Sequence, residues 1–237
     1  MKASEIRAIA REKLSGKWGK AALATLVYTF ITGIITSILG AFEEHEIINM
    51  VLSIVSILIT VPMTFGFMST FFKLNDDEEI SYVGFLNDGF SCFKKVWAVT
   101  LQTLLKLLVP IILFILSLVL FSFATISSIT GGPGFIAVLG VILYISALVY
   151  LIVKSLSYSL ALYVFYDNPD MSAKEIVETS ANLMQGNIGR YIGLYLSFIG
   201  WGFLTILTFG IGLFWLIPYM QVSQVNFYRN LVDKPNV

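Results

Sequence analysis

Two lysines, Lys106 and Lys154, interrupt stretches that are otherwise apolar and uncharged, and they are the residues best placed to act on a ligand. Gln102 stands one helical turn before Lys106 and Tyr158 one turn after Lys154, so each lysine shares a helix face with a hydrogen-bonding neighbour. Asp167 and Asn168 lie further along and join the set where the chain folds back. The chemistry on offer is anion binding. Two ammonium groups in one dry pocket repel, so their convergence requires an anion between them: a lipid phosphate, a carboxylate substrate or the Asp167 side chain. A second reading keeps the lysines apart. A lysine at the bilayer centre costs about 2.5–3.5 kcal/mol, whereas at a helix end its ammonium snorkels into the headgroups. The 135–153 stretch alone spans about 28 Å as a helix, which puts Lys154 at the cytoplasmic edge. Lys106 stands at the matching inner end of 107–126.

Little else in the sequence suggests catalysis. It contains no G-x-S-x-G elbow, H-E-x-x-H, C-x-x-C or Walker A loop. A single cysteine, Cys92, excludes an internal disulfide, and a single histidine, His45, excludes a His-rich metal site. Glu43, Glu44, His45 and Glu46 are adjacent, and four adjacent side chains rarely converge on one ion, so neither a metal nor a cofactor is expected. Serines and threonines within apolar stretches bond locally or across helices. The expectation is a protein that is not an enzyme.

The elements that carry these residues follow from where charge is absent. The 237 residues are 57% hydrophobic and 13% charged, against about 25% charged for a soluble domain. Lys and Arg balance Asp and Glu at 15 each, so nothing points to nucleic acid. Charge-free runs cover 21–42, 47–72, 107–153 and 191–228. A span needs about 20 apolar residues, so the first two runs are single spans and the last two are pairs. Thr130-Gly131-Gly132-Pro133-Gly134 and Thr208-Phe209-Gly210-Ile211-Gly212 divide those pairs. The fold class is therefore an all-α polytopic transmembrane bundle of six spans: 21–42, 47–72, 107–129, 134–153 with a continuation, 191–208 and 211–229. Basic residues precede span one and lie between spans two and three and spans four and five; Arg229 and Lys234 follow span six. The remaining loops carry no Lys or Arg. This positive-inside pattern places both termini in the cytoplasm.

Each cytoplasmic segment reads as a short amphipathic helix feeding a span. Ser4 can cap a helix with Ile6, Ile9, Ala10 and Leu14 on one face, ended by Gly16. Ser172 and Glu175 form a capping box before Ile176, Ser180, Leu183 and Met184, ended by Gly186. Between them, Ile80, Val83 and Phe90 are expected on one face of a third element. Two or three such helices are expected to lie in the headgroup layer, apolar face down, and to hold anionic lipid headgroups of the cytoplasmic face. The first and third segments align without gaps at an offset of 170. Either two amphipathic helices coincide by chance, or the single membrane domain 1–237 consists of tandem units 1–73, 74–166 and 167–237, which an even number of spans would make parallel.

Several ordered motifs point to a known family. They are Gly16-Lys17-Trp18-Gly19, Lys154-Ser155-Leu156-Ser157-Tyr158-Ser159-Leu160-Ala161, Asp167-Asn168-Pro169 and Leu183-Met184-Gln185-Gly186, followed by Leu196–Trp201, Phe209-Gly210-Ile211-Gly212 and Pro218-Tyr219. Together they resemble the bacterial integral membrane family called domain of unknown function 975 over nearly the whole chain. Where that family usually carries Pro-Gly before the lysine, this sequence runs Leu148–Val153 without either. The resemblance implies a multi-pass protein of the bacterial cytoplasmic membrane and supplies no mechanism.

Two functional readings follow. The first is a non-enzymatic membrane protein acting through the phospholipid bilayer or a membrane-protein partner, in an accessory, stress or peptide-immunity role. The alternative is a permease-like transporter of a small molecule or lipid, with an anion-binding cytoplasmic vestibule. Against the alternative, the span centres hold no Asp, Glu or Arg of the kind ion-coupled carriers use.

Overall fold

The computed structural model describes residues 1–40 and 45–233. Glu43, Glu44 and Lys234, and the outer end of the first span, therefore lie outside the described residues. Within them the chain is all-helical, 83% helix with no strand. The elements are α1 (Ala3–Leu14), α2 (Trp18–Gly40), α3 (Glu46–Asn75), α4 (Gly84–Ser91), α5 (Phe93–Ile129), α6 (Gly134–Ser157), α7 (Ala161–Asp167), α8 (Ala173–Met184), α9 (Ile188–Leu196), α10 (Ile199–Leu207) and α11 (Leu213–Val232).

Among the described residues, five segments are long and apolar enough to cross a membrane: Trp18–Ile38, Glu46–Asn75, Phe93–Ser127, Gly134–Asp167 and Ile188–Leu207. They mark the chain as a membrane protein. The sixth expected span is present as a helix, α11, but it falls short of that standard of apolarity. Its first half is apolar. Its second half carries Gln221, Ser223, Gln224, Asn226, Arg229 and Asn230, so a run nearly free of charge is nonetheless rich in polar groups. The fifth span is interrupted. Helix α9 stops at Leu196 and α10 restarts at Ile199, which leaves the Ser197 carbonyl free to accept from Arg7. The helix carrying Lys106 begins at Phe93, and α6 runs only to Ser157 before the turn that precedes α7.

The chain forms two compact units, 1–97 with 189–237, and 98–188. In the first unit, α1 packs along α11 and against α3. The side chains of Ile6, Ala10 and Leu14 are buried completely or to within 1%. The face expected to meet lipid is thus covered by helices, because α11 and α3 pack on it. The helix starts two residues earlier than a Ser4 cap would have it: Lys2 is the N-cap, and its N–H donates to the Glu5 carboxylate at 3.0 Å. Lys17 closes the far side by donating to the Leu74 carbonyl at 3.0 Å, a cation on the C-terminus of α3.

Helix α4 lies against α3 with no room for side chains between the backbones. A Cβ on Gly66 would fall 1.8 Å from the Phe85 carbonyl oxygen, and one on Gly89 2.1 Å from the Pro62 oxygen. This close approach reverses the face expected for the segment. Phe85 and Gly89 are buried, whereas Val83 and Phe90 are exposed. Asp88 fastens the pair by accepting from Ser69 at 2.9 Å and from Lys73 at 2.7 Å.

In the second unit, α8 packs against α7 and α6. Its Ser172–Glu175 capping box is formed in both directions, and Ile176, Val177, Ser180 and Met184 are fully buried. Ser180 donates to the Ser157 carbonyl at 3.1 Å, satisfying a carbonyl at the end of α6. Phe114 and Phe121 of α5 pack on Tyr144 of α6. A Cβ on Gly140 would come within 2.8 Å of the Ala124 methyl, so the two helices cross at small residues.

Candidate functional site

The residues singled out in the sequence all fall in the second unit. Lys106, half-buried on α5, meets the Glu178 carboxylate of α8 at 3.3 Å. Lys154 holds its ammonium 5.9 Å from the centroid of the Tyr150 ring, one turn earlier on α6, a cation–π contact of about 0.5–1 kcal/mol at an exposed site. Tyr158 is the C-cap of α6, with its N–H returning to the Ser155 carbonyl at 3.3 Å. Asn168 closes α7, its N–H and its side-chain amide both donating to Val164 O. Gln102 is half-buried on α5, and Asp167 is half-buried as the last residue of α7. The two lysines thus engage different partners, a carboxylate and an aromatic face. Nothing in the sequence singles out Glu178, because the pattern of α8 marks its apolar face, with Ile176, Ser180 and Met184, and Glu178 lies outside it.

The first unit contains a site built around Tyr219. That residue sits on α11 one position after Pro218, and 4% of it is exposed. Its ring takes three edge-on aromatic neighbours, Trp18 at 6.0 Å, Phe198 at 5.0 Å and Trp201 at 6.2 Å between centroids. Such pairs contribute about 0.5–1.5 kcal/mol each beyond area burial. The phenol oxygen accepts from Arg11 Nη1 at 3.3 Å and donates to the Arg7 carbonyl at 3.3 Å. Three elements from distant parts of the sequence are held at one side chain: α1, the start of α2, and the α10–α11 hairpin.

Beside this hub lies a cavity of about 400 Å³, walled by Trp18, Trp201, Leu204, Trp215, Leu216 and Tyr219. Thr205 and Thr208 also line it, but their hydroxyls donate to the Gly202 and Thr205 carbonyls of their own helix. Its lining therefore behaves as apolar, with one charged group, Arg11. Trp201 and Trp215 stand beside Gly200, Gly202 and Gly212 in the sequence, and in the fold they face this cavity. Arg11 reads as one of six basic residues before the first span; nothing in its spacing sets it apart from Lys13 or Lys17.

The other cations of this unit are arranged differently. Lys13 and Lys17 both reach Asp77, at 2.8 and 2.5 Å, and Arg229 reaches Asp76 at 3.0 Å. The two lysine bonds and charges hold the Asp77 carboxyl well below its usual value of 3.8, at about 2. These pairs lock α1, the end of α3 and the end of α11 together. Asn226 adds a bond to Asn75 at 2.7 Å.

The chain belongs to the family described as protein of unknown function (DUF975), whose model matches residues 1–234. No curated protein and no solved structure matches it.

Proposed function

We propose that the chain is a multi-pass protein of a bacterial cytoplasmic membrane that works without covalent chemistry, by binding lipid or a membrane-protein partner. The observation that carries this reading is the cavity beside Tyr219. It is apolar and walled by three tryptophans, and its threonine hydroxyls are already committed to backbone carbonyls. Such a space suits an aliphatic or aromatic group and provides no activated nucleophile.

In this reading α11 is the sixth crossing. Its polar half is tolerable because Ser223 and Asn230 are buried among protein groups, with Ser223 donating to the Tyr219 carbonyl and Asn226 reaching Asn75. Both termini are then cytoplasmic. The tandem units 1–73, 74–166 and 167–237 belong to the same proposal. Their support is that each short amphipathic helix packs on the end of a long or span-terminating one: α1 on α11, α4 on α3 and α8 on α7.

Two measurements test the reading. Reporter fusions after residue 233 and near His45 are expected to report cytoplasmic and external locations. An external C-terminus would mean five crossings and would remove α11 from the membrane. The purified chain, reconstituted with phosphatidylcholine and phosphatidylglycerol, is expected to leave the masses of both lipids unchanged on prolonged incubation. Chain-dependent loss of a headgroup or an acyl chain would replace the binding reading with an enzymatic one.

A further inference from the structure

Among the described residues, three aspartates of the first unit are matched to particular cations, whereas Glu5 and Glu12 of α1 form no ion pair. Asp77 takes Lys13 and Lys17, Asp76 takes Arg229, and Asp88 takes Lys73. Arg7 and Arg11, one turn apart on α1, meet no carboxylate among the described residues. Arg7 Nη1 donates to the Ser197 carbonyl at 2.9 Å, its guanidinium lies 5.8 Å from the Phe198 ring centroid, and its Nε is buried without a hydrogen-bond partner. Arg11 donates to the neutral phenol of Tyr219 at 3.3 Å and lines the cavity. One positive charge, Arg11, compensated only by a phenol oxygen, therefore borders an apolar space, and a second, Arg7, stands one turn away over Phe198. A cation beside low-dielectric walls is stabilised by an anion, and no carboxylate among the described residues pairs with Arg11.

We propose that this cavity binds one aliphatic chain of an amphiphile whose head is a phosphate or carboxylate, with Arg11 holding the head. This deepens the non-covalent binding reading above and rests on it. The volume, about 400 Å³, lies at the small end of ligand pockets and takes a single chain. Trp201, Leu204 and Trp215 are 44%, 52% and 48% exposed, so the chain enters sideways from the surrounding hydrocarbon. On binding, the Arg11 guanidinium turns from the Tyr219 phenol to the anionic head. Arg7, on the same face, adds to the positive field from behind the Tyr219–Phe198 pair. A neutral amphiphile fills the same space without the ion pair, and a cationic one meets repulsion from Arg11.

The tryptophans provide the readout. Three of the four line the cavity, and the fourth, Trp97, donates to Leu58 O instead. The chain, in nanodiscs of phosphatidylcholine, is titrated with dibromostearate, its methyl ester or brominated phosphatidylglycerol, and bromine quenching of tryptophan is followed. Saturable quenching is expected with the free acid or the anionic phospholipid, at least about tenfold tighter than with the methyl ester. Saturation by the acid alone identifies a carboxylate amphiphile as ligand, and saturation by phosphatidylglycerol identifies a lipid phosphate; either supports the proposal. Arg11→Ala, at an exposed position, is expected to remove the preference for an anionic head, and Arg11→Lys to retain most of it. Leu204→Phe narrows the cavity and is expected to abolish saturation, whereas Trp97→Phe leaves it unchanged. Equal affinity for acid and ester, or an Arg11→Ala variant indistinguishable from the parent, overturns the anion assignment while leaving non-covalent binding intact. Quenching that only tracks mole fraction overturns the cavity as a site. Mass spectrometry of the recovered probe separates these outcomes from failure of the binding reading, which requires a chemically altered amphiphile.

Discussion

Gly16 and Gly186 stand 170 positions apart and hold the same left-handed backbone, φ +73° and +74°. Each follows an extended residue, Ser15 with ψ 129° or Gln185 with ψ 122°. In each turn the next N–H returns to the last helical carbonyl, Lys17 to Leu14 at 2.8 Å and Asn187 to Met184 at 2.9 Å. The preceding helices cover equivalent positions, Ala3–Leu14 and Ala173–Met184, and the following helices start at Trp18 and Ile188. The buried faces also correspond, with Ile6, Ala10 and Leu14 matching Ile176, Ser180 and Met184. A left-handed glycine after the last helical turn is what local cap chemistry favours, and here both helices use it at the same distance from their buried faces. The agreement concerns the first and third of the proposed units, 1–73 and 167–237.

Because nothing lies within 4 Å of a Cβ built on Gly16 or Gly186, replacing either by alanine incurs the left-handed backbone penalty and no clash. Gly16→Ala and Gly186→Ala are each expected to lose about 1 kcal/mol, seen as similar drops in thermal unfolding temperature in detergent. Gly19→Ala, in an equally open but helical position, is expected to be neutral or slightly stabilising. If Gly16→Ala matches Gly19→Ala, the turn is not formed in solution.

Gly66 and Gly89 present the opposite case. Their missing Cβ atoms would overlap the backbone oxygens of Phe85 and Pro62, and backbone cannot swing aside as a side chain can. Alanine at either site is expected to separate α3 from α4 at a cost of roughly 3 kcal/mol or more, with lower yield of folded protein. Gly33→Ala, in an open helical position, is the control and is expected to behave like the parent. Equal stability of the Gly66→Ala and Gly33→Ala variants would show that α4 does not dock on α3.

These contrasts show how far the sequence could be read. Charge-free runs located the helices because an unpaired charge in hydrocarbon is expensive. They do not register the polarity of α11, since Gln221, Gln224 and Asn226 are as uncharged as leucine and far more polar. The turn glycines were legible from cap chemistry, a local property. The face that α4 buries was not: it depends on Gly89 meeting Pro62 of another helix, and a glycine in sequence does not reveal its opposite number. Arg11 was hidden for a related reason. Lys13, Lys17 and Arg11 are alike as cations, and only the fold decides which of them meets Asp77 and which meets Tyr219.

Asp77 makes the clasp around α1 sensitive to acid. Its folded value of about 2 lies below the ordinary 3.8, so the ionised form is favoured in the folded state. The stabilisation is complete above the unfolded value and is lost as pH falls through the folded one. Unfolding temperature is therefore expected to be flat with respect to this group above about pH 5, and to fall as pH drops from 3.8 toward 2. The Asp77→Asn variant should be less stable at neutral pH and should lack that component of the acid limb. Parallel acid limbs in parent and variant would mean that the two lysines do not hold Asp77 in solution.

Lys106 and Glu178 test the two readings of the membrane-edge lysines against each other. Their side chains are 36% and 47% exposed and 3.3 Å apart, and a pair that open contributes about 0.2–1 kcal/mol. If Glu178 is the anion that Lys106 needs, Lys106→Gln and Glu178→Gln should each cause a small loss of stability, and a double-mutant cycle should return a coupling within that range. The charge-exchanged double variant, Lys106→Glu with Glu178→Lys, should recover most of what either exchange alone loses. Lys154 should be independent of both: its contact with Tyr150 is within α6, so Lys154→Arg should be tolerated and Lys154→Gln should add to Lys106→Gln without interaction. A zero coupling between Lys106 and Glu178, together with a strong one between Lys106 and Lys154, would reverse this account. The two ammonium groups would then share an external anion, and added phosphate or a carboxylate should stabilise the parent while leaving Lys106→Gln unaffected.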